Sequence, residues 1–230
     1  MKKEVIAILL LAGKGERFHS SLPKQFIPMK GKPLFTHAGK TLNDSPLISS
    51  IVYVVPAGYI KRAEEILIAQ SLAKKHFVIE GGETRQDSAY LALSFLKEKG
   101  ISEDSLVLVQ DGDRPNLKES YIDSLVSETS KNGASVLAIP ATDSLALVQN
   151  ASSIDSYLDR SRIIALQTPQ CFRFSLLFEA EKEAKRKRKT YTDEGSLLLG
   201  EKGIASTFVE GDKSNFKITE PFDLAVFQNE

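Results

Sequence analysis

The chain has a single cysteine, Cys171, so no internal disulfide can form, and a reducing compartment is expected. It has no apolar run approaching about eighteen residues and no amino-terminal signal pattern, which leaves no candidate membrane span and points to a cytoplasmic protein. Its three histidines, His19, His37 and His76, lack ligand spacing, so a zinc site is not expected. Lys plus Arg equals Asp plus Glu at 30 each, leaving no overall field to draw a nucleic acid or a membrane surface. Any anion must therefore be held locally.

Two familiar phosphate motifs are also missing. No Gly-Lys-Ser/Thr follows Gly13 at the distance a P-loop requires. A dinucleotide fingerprint would need a third glycine near Arg17 and an acidic residue after the second strand, where Pro56-Ala57-Gly58 stands instead. An oxidoreductase is thus disfavoured.

What is present begins with the apolar run Val5 to Leu11, then Ala12-Gly13-Lys14-Gly15-Glu16-Arg17, then Pro23-Lys24-Gln25-Phe26. A short apolar run closed by glycines reads as a buried parallel strand with a ligand-binding turn at its carboxyl end. Glycine lets backbone N–H groups approach an anion closely, and Arg17 and Lys24 add fixed positive charge. Together these describe a polyphosphate cradle.

Strands and helical patterns alternate along most of the 230 residues, predicting one α/β domain with a mostly parallel, Rossmann-like sheet flanked by helices. Predicted strands cover Ile51–Val55, Phe77–Glu80, Leu106–Val109, Ala134–Pro140 and Ala205–Glu210. Between Ala141 and Thr168 the rhythm breaks. About 141–166 reads as a projecting β-hairpin arm, which should pack on a second copy because a lone hairpin is marginal in water.

Asp111 and Asp113 follow the fourth strand two residues apart. Carboxylates at this edge suit Mg²⁺ or another divalent cation, which takes one or two protein carboxylates and completes its shell with phosphate and water; an Asp-Gly turn in solvent is the plainer alternative. Glu80-Gly81-Gly82 through Ser88 reads either as a base-binding turn or as an ordinary capped connection. The basic run Lys185 to Lys189, preceded by Glu179, Glu181 and Glu183, reads as a solvated helix terminus with cations at its carboxyl end.

Ala-Gly-x-Gly-x-Arg followed by Pro-Lys-Gln resembles the signature of sugar-phosphate nucleotidyltransferases. More narrowly it is similar to the cytidylyltransferases that make CDP-alditols, of which the 2-C-methyl-D-erythritol 4-phosphate cytidylyltransferases are the best known. Gly81, Gly82, Arg85 and Ser88 match that family's Gly-Gly-x-x-Arg-x-x-Ser. Asp159-Arg160, Thr168-Pro169-Gln170, Thr192-Asp193-Glu194 and Asn215-Phe216-Lys217-Ile218-Thr219 follow in the family's order, so the resemblance spans the chain.

The resemblance implies a CTP-dependent enzyme of non-mevalonate isoprenoid synthesis, acting as a homodimer with CTP and an alditol phosphate. It implies that Arg17, Lys24 and Lys217 act on the phosphates, that Ala12, Gly13, Gly15, Gly81, Gly82 and Ser88 hold the nucleotide, and that Asp111 binds the metal. Arg114, Ser144, Arg160, Thr168 and Thr192 would face the acceptor, with Arg160 donated across the dimer. The family's His-Asp-Ala-Ala-Arg-Pro appears here as Gln110-Asp111-Gly112-Asp113-Arg114-Pro115, and its Asp-Thr-[IM]-Lys as Asp143-Ser144-Leu145-Ala146. Asp113 can either assist the metal or repel an acceptor phosphate. Ribitol 5-phosphate therefore stands as an alternative acceptor, and a non-catalytic nucleotide-binding module as an alternative of another class.

Overall fold

The computed structural model describes residues 4–13, 18, 22–149 and 152–229; the candidate positions Gly15 and Arg17 lie outside the described residues. In chain order the elements are β1 (Val5–Leu10), β2 (Pro28–Met29), β3 (Lys32–Pro33), α1 (Phe35–Asp44), β4 (Ser50–Val55), α2 (Ile60–Ala69), β5 (Lys75–Glu80), α3 (Arg85–Glu98), β6 (Leu106–Asp111) and α4 (Glu119–Asn132). There follow β7 (Ala134–Pro140), β8 (Leu145–Gln149), β9 (Ser153–Leu158), β10 (Ile164–Arg173), α5 (Phe174–Lys187), α6 (Glu194–Lys202), β11 (Thr207–Glu210) and α7 (Pro221–Asn229).

Seven strands form the central sheet in the order β11-β7-β10-β6-β1-β4-β5. All neighbours run parallel except β10, which is antiparallel to both β6 and β7. Strand β1 is buried on both faces, which is why its sequence is continuously apolar rather than alternating. Successive side chains leave opposite faces: Val5, Ala7 and Leu9 join one core with Leu42, Ala63, Leu67 and Ile122, whereas Ile6, Ile8 and Leu10 join the other with Ala89, Leu93, Leu177 and Leu197. Two helical layers thus clamp β1 and set where Leu11 to Gly13 stand at its carboxyl end.

Strand β10 was not among the predicted strands. Pro169 interrupts its pattern, and a proline cannot donate to a ladder, so a strand is not expected there. The structure accommodates it at a register shift between Gln167 and Gln170, with regular pairing resuming on either side. Residues Ile164 to Gln167 pair with β7, so the projecting hairpin is confined to β8 and β9 and is shorter than the predicted 141–166.

The reading of α5 as a solvated terminus needs one correction. Glu179 and Glu183, four apart on one face, pair with Lys182 and Arg186 in solvent. Glu181 lies two residues from each, on the opposite face, and is buried. Burial raises its carboxyl from the ordinary 4.5 to about 8, opposed by a hydrogen bond from Gln86 Nε2 at 3.2 Å.

The folded state therefore keeps a proton that the unfolded chain releases, so stability falls as pH rises from about 4.5 to about 8. Glu181→Gln should raise the melting temperature by a few degrees at pH 8 and change it little at pH 5. Thermal denaturation at the two pH values checks this; equal shifts at both would show that Glu181 is charged in the fold.

Candidate active site

The cleft lies beyond the carboxyl ends of β1 and β6, where the strand order changes direction. Residues Lys24–Phe26 make one 3-10 turn, anchored by Phe26, whose ring packs 5.2 Å from Phe35 and 5.0 Å from Tyr59. That anchor carries Lys24 into the cleft, where it is 6% exposed. Its ammonium donates to Asp113 Oδ2 at 2.8 Å and to the Ile218 carbonyl, and it lies 5.5 Å from the Phe18 ring centroid.

The segment after β11 folds back over the same edge. Ile218 N donates to the Asp113 carbonyl at 2.8 Å, Arg114 Nη1 to the Asn215 carbonyl at 2.7 Å, and Asn215 Nδ2 to the Thr168 carbonyl at 2.9 Å. These bonds carry Lys217 to Asp111, with its Nζ 2.8 Å from Oδ2. Asn215 and Ile218, both fully buried, thereby hold a loop in a fixed place.

Asp111 ends β6. Its backbone N–H donates to Thr168 Oγ1 at 3.1 Å, tying it to β10. Its Oδ1 accepts from Arg85 Nε at 2.9 Å, and Arg85 also reaches Glu194 with two bonds of 2.7 and 3.0 Å. Burial opposes charge on Asp111, but Arg85 and Lys217 outweigh it and hold its carboxyl well below the usual carboxylate range. Burial also works against Lys217, whose pKa is nevertheless raised by Asp111 and Asp113.

Arg85 and Glu194 were not assigned site roles from the sequence, although both lie inside quoted motifs. The signal that could have found them is a bidentate clamp between α3 and α6, and no local pattern reveals a partner 109 positions away. For Asp113, a departure from the family pattern, the sequence leaves open whether it assists the metal or repels an acceptor phosphate; the structure pairs it with Lys24. Gly112 is required by a close approach, since a Cβ there would stand 2.1 Å from Leu11 Cδ2.

The Gly81-Gly82 turn opens α3. A Cβ on Gly81 would meet Ala12 Cβ at 2.4 Å and Ser88 Oγ at 2.7 Å, so glycine lets this turn press against the first loop. The Ser88 hydroxyl accepts from Gly82 N at 3.1 Å and donates to the Thr84 carbonyl at 2.9 Å. Ser88 therefore builds the turn, and it also lines the cleft beside Ala12 and Gly13. Ala12, Gly13, Pro23, Gly81 and Gly82 line one open cleft, the shape a flat base could enter.

Arg85, Asp111, Arg114, Thr168, Thr192 and Lys217 share an adjoining depression. Ser144 and Arg160 are not among its lining residues: both stand exposed at the root of the hairpin, where Arg160 Nη1 donates to the Thr142 carbonyl at 3.0 Å. Within a single chain they do not join the site. Cys171 is fully buried, and burial pushes its thiol up to about 12, which suits packing and not nucleophilic attack.

The donor set fits a hard divalent cation. Asp113 Oδ1 is buried and has no hydrogen-bond partner among the described residues. Among those residues no three acidic, histidine or cysteine side chains gather into a protein-only cage. One or two carboxylates, with phosphate and water completing the shell, is the arrangement Mg²⁺ favours.

Over residues 5–229 the chain matches the family model IspD, 2-C-methyl-D-erythritol 4-phosphate cytidylyltransferase. It is 36% identical over 225 residues to the 2-C-methyl-D-erythritol 4-phosphate cytidylyltransferase of Syntrophus aciditrophicus, covering 97% of this chain and 94% of that one. The protein of that name from Thermosipho africanus is 35% identical over 221 residues, covering 96% and 95%. The crystal structure of 4-diphosphocytidyl-2C-methyl-D-erythritol synthase from Anaerococcus prevotii superposes with a TM-score of 0.84 at 24% identity, covering 99% of this chain and 95% of that one, and supports the fold.

Proposed function

The chain belongs to the 2-C-methyl-D-erythritol 4-phosphate cytidylyltransferase family, and we infer that it transfers the cytidylyl group of CTP to 2-C-methyl-D-erythritol 4-phosphate, releasing pyrophosphate in the non-mevalonate route to isoprenoid precursors. The observation that carries the assignment of roles is the meeting of Lys24, Lys217, Arg85 and Asp111 at one sheet edge. These residues come from four separate parts of the sequence.

A phosphate oxygen of the acceptor attacks the α-phosphorus in line, and the pyrophosphate oxygen leaves. An acceptor phosphate with second pKa near 6 is already mostly dianionic at neutral pH, so no general base is needed. The protein supplies position and charge. Lys24, with Arg17 of the first loop, neutralises the nucleotide phosphates, and Lys217 moves from Asp111 to them. Arg114, Thr168 and Thr192 receive the acceptor.

Asp111 would hold Mg²⁺ or another divalent cation, with Arg85 fixing the carboxylate. Bound there, the cation neutralises charge that develops on the phosphates. Ala12, Gly13, Gly81 and Gly82 form the floor for the base.

The exposed apolar hairpin supports a homodimer. Leu147, Val148, Ile154 and Tyr157 are each more than half exposed, more than a two-stranded ribbon sustains alone. In a dimer, Ser144 and Arg160 reach the partner's acceptor pocket. Sedimentation velocity should show a dimer, with Val148→Asp combined with Ile154→Asp shifting it to monomer; a wild-type monomer would sink this part of the proposal. No helix among the described residues is long and apolar enough to cross a membrane. A cytoplasmic location is proposed from the single buried thiol.

Pyrophosphate release with CTP and Mg²⁺ tests the acceptor. Turnover with methylerythritol 4-phosphate, well above that with ribitol 5-phosphate or no acceptor, is expected. Turnover with ribitol 5-phosphate alone would reassign the acceptor, and silence with both would indicate a binding module.

A further inference from the structure

Resting on the cytidylyltransferase reading above, we propose that Asp113 is a second protein ligand, beside Asp111, for the divalent cation that enters with the nucleotide. Three observations converge on it. Asp113 is 6% exposed, and its two oxygens differ: Oδ2 accepts from Lys24, whereas Oδ1 is buried without a hydrogen-bond partner among the described residues. Lys217 Nζ stands 3.7 Å from that oxygen, beyond hydrogen-bond reach. A buried carboxylate oxygen left unsatisfied calls for a ligand, because the desolvation it has suffered is not compensated.

Position supplies the second reason. Asp111, Asp113 and Lys217 line one cleft with Ala12 and Gly13 of the phosphate loop. A carboxylate beside that loop repels a triphosphate unless a cation stands between them. Charge around the cleft points the same way. Lys24, Arg85, Arg114 and Lys217 are set against Asp111, Asp113 and Glu194, so the described groups leave one net positive charge for a triphosphate of about four negative charges.

As Lys24 and Lys217 turn to the phosphates, both carboxylates lose cationic partners at once. A divalent ion then satisfies the oxygens that the lysines release. Asp113 thus serves two states of one site: it holds Lys24 before the nucleotide arrives and binds the metal afterwards.

Mn²⁺ serves as the probe, titrated into the whole protein with CTP and no acceptor and followed by the electron paramagnetic resonance of the free ion. Water-proton relaxation reports the waters left on the bound ion. Asp113→Asn keeps an oxygen for Lys24 but is a poor ligand. It should weaken Mn²⁺ binding about tenfold or more and admit additional water to the ion. Asp113→Glu restores the carboxylate and should recover much of the affinity.

Wild-type affinity and hydration in the Asn variant would overturn the proposal. So would equal weakening in both variants, which would mark Asp113 as a structural residue, or a wild-type protein that binds no Mn²⁺ with CTP. If these titrations turn out as expected while the wild type releases no pyrophosphate with either acceptor, the metal ligation stands and the enzymatic reading fails.

Discussion

Replacing Lys24 by alanine should lower kcat by about 10²-fold or more while changing the KM for CTP much less. The ammonium is fixed before the nucleotide arrives by Asp113, the Ile218 carbonyl and the Phe18 ring. Held at the cleft in the free protein, it exchanges Asp113 for the phosphates as CTP binds and is then in place when negative charge shifts towards the leaving pyrophosphate, which is why its loss should appear in kcat. The same substitution removes the closest cation from Asp113, whose ion pair with Lys217 spans 3.7 Å. Some loss of thermal stability should therefore accompany the kinetic defect. Steady-state kinetics below the lowered melting temperature separates the two effects. A rise in KM at unchanged kcat would show that Lys24 only binds the ground state.

Asp111→Asn should cost more, about 10³-fold in kcat/KM, because one side chain orders two cations and would also hold the proposed metal. Arg85 and Lys217 both lean on this carboxylate, and Glu194 would be left to hold Arg85 alone. Removing one partner from a buried charge network exposes the others to an uncompensated desolvation penalty, worth roughly 3–5 kcal/mol in comparable cases. The melting temperature should fall accordingly, and added Mn²⁺ should not restore activity.

The pH dependence follows from the sign of the shift. The folded Asp111 carboxyl is held well below its unfolded value, so its stabilising contribution is complete above the ordinary carboxylate pKa and is lost as pH falls towards the depressed folded value. The wild type should lose this contribution only in strong acid. Activity of Asp111→Asn within tenfold of the wild type would remove Asp111 from the site.

Much of the site was legible because its parts sit at ends of strands with local signatures. The glycine loop after β1, the Gly81-Gly82 turn before α3 and the Asp111 edge of β6 each announce themselves within a few residues. What escaped was pairing over distance. The Arg85–Glu194 clamp and the Lys24–Asp113 bridge join residues 109 and 89 positions apart, and no periodicity connects them.

Glu181 escaped because a helix carries acidic residues on opposite faces within one turn, and only the packing of α5 against α3 decides which is buried. Strand β10 escaped because a proline at a register shift looks, in sequence, like the end of a strand. Ser88 was legible as part of the glycine turn before α3, but the two bonds its hydroxyl makes inside that turn were not. The hairpin was foreseen, whereas its return into the main sheet at Ile164 was not.

The measurement closest to the central claim follows the two ends of CTP separately. With CTP labelled at the α-phosphate, Mg²⁺ and 2-C-methyl-D-erythritol 4-phosphate, the label should move into a cytidine diphosphate alditol. With CTP labelled at the γ-phosphate it should appear only in pyrophosphate. Both transfers should be lost in Asp111→Asn. γ-Label appearing on the alditol would mean a kinase, and α-label remaining in CTP throughout would mean that the cleft binds the nucleotide without turning it over.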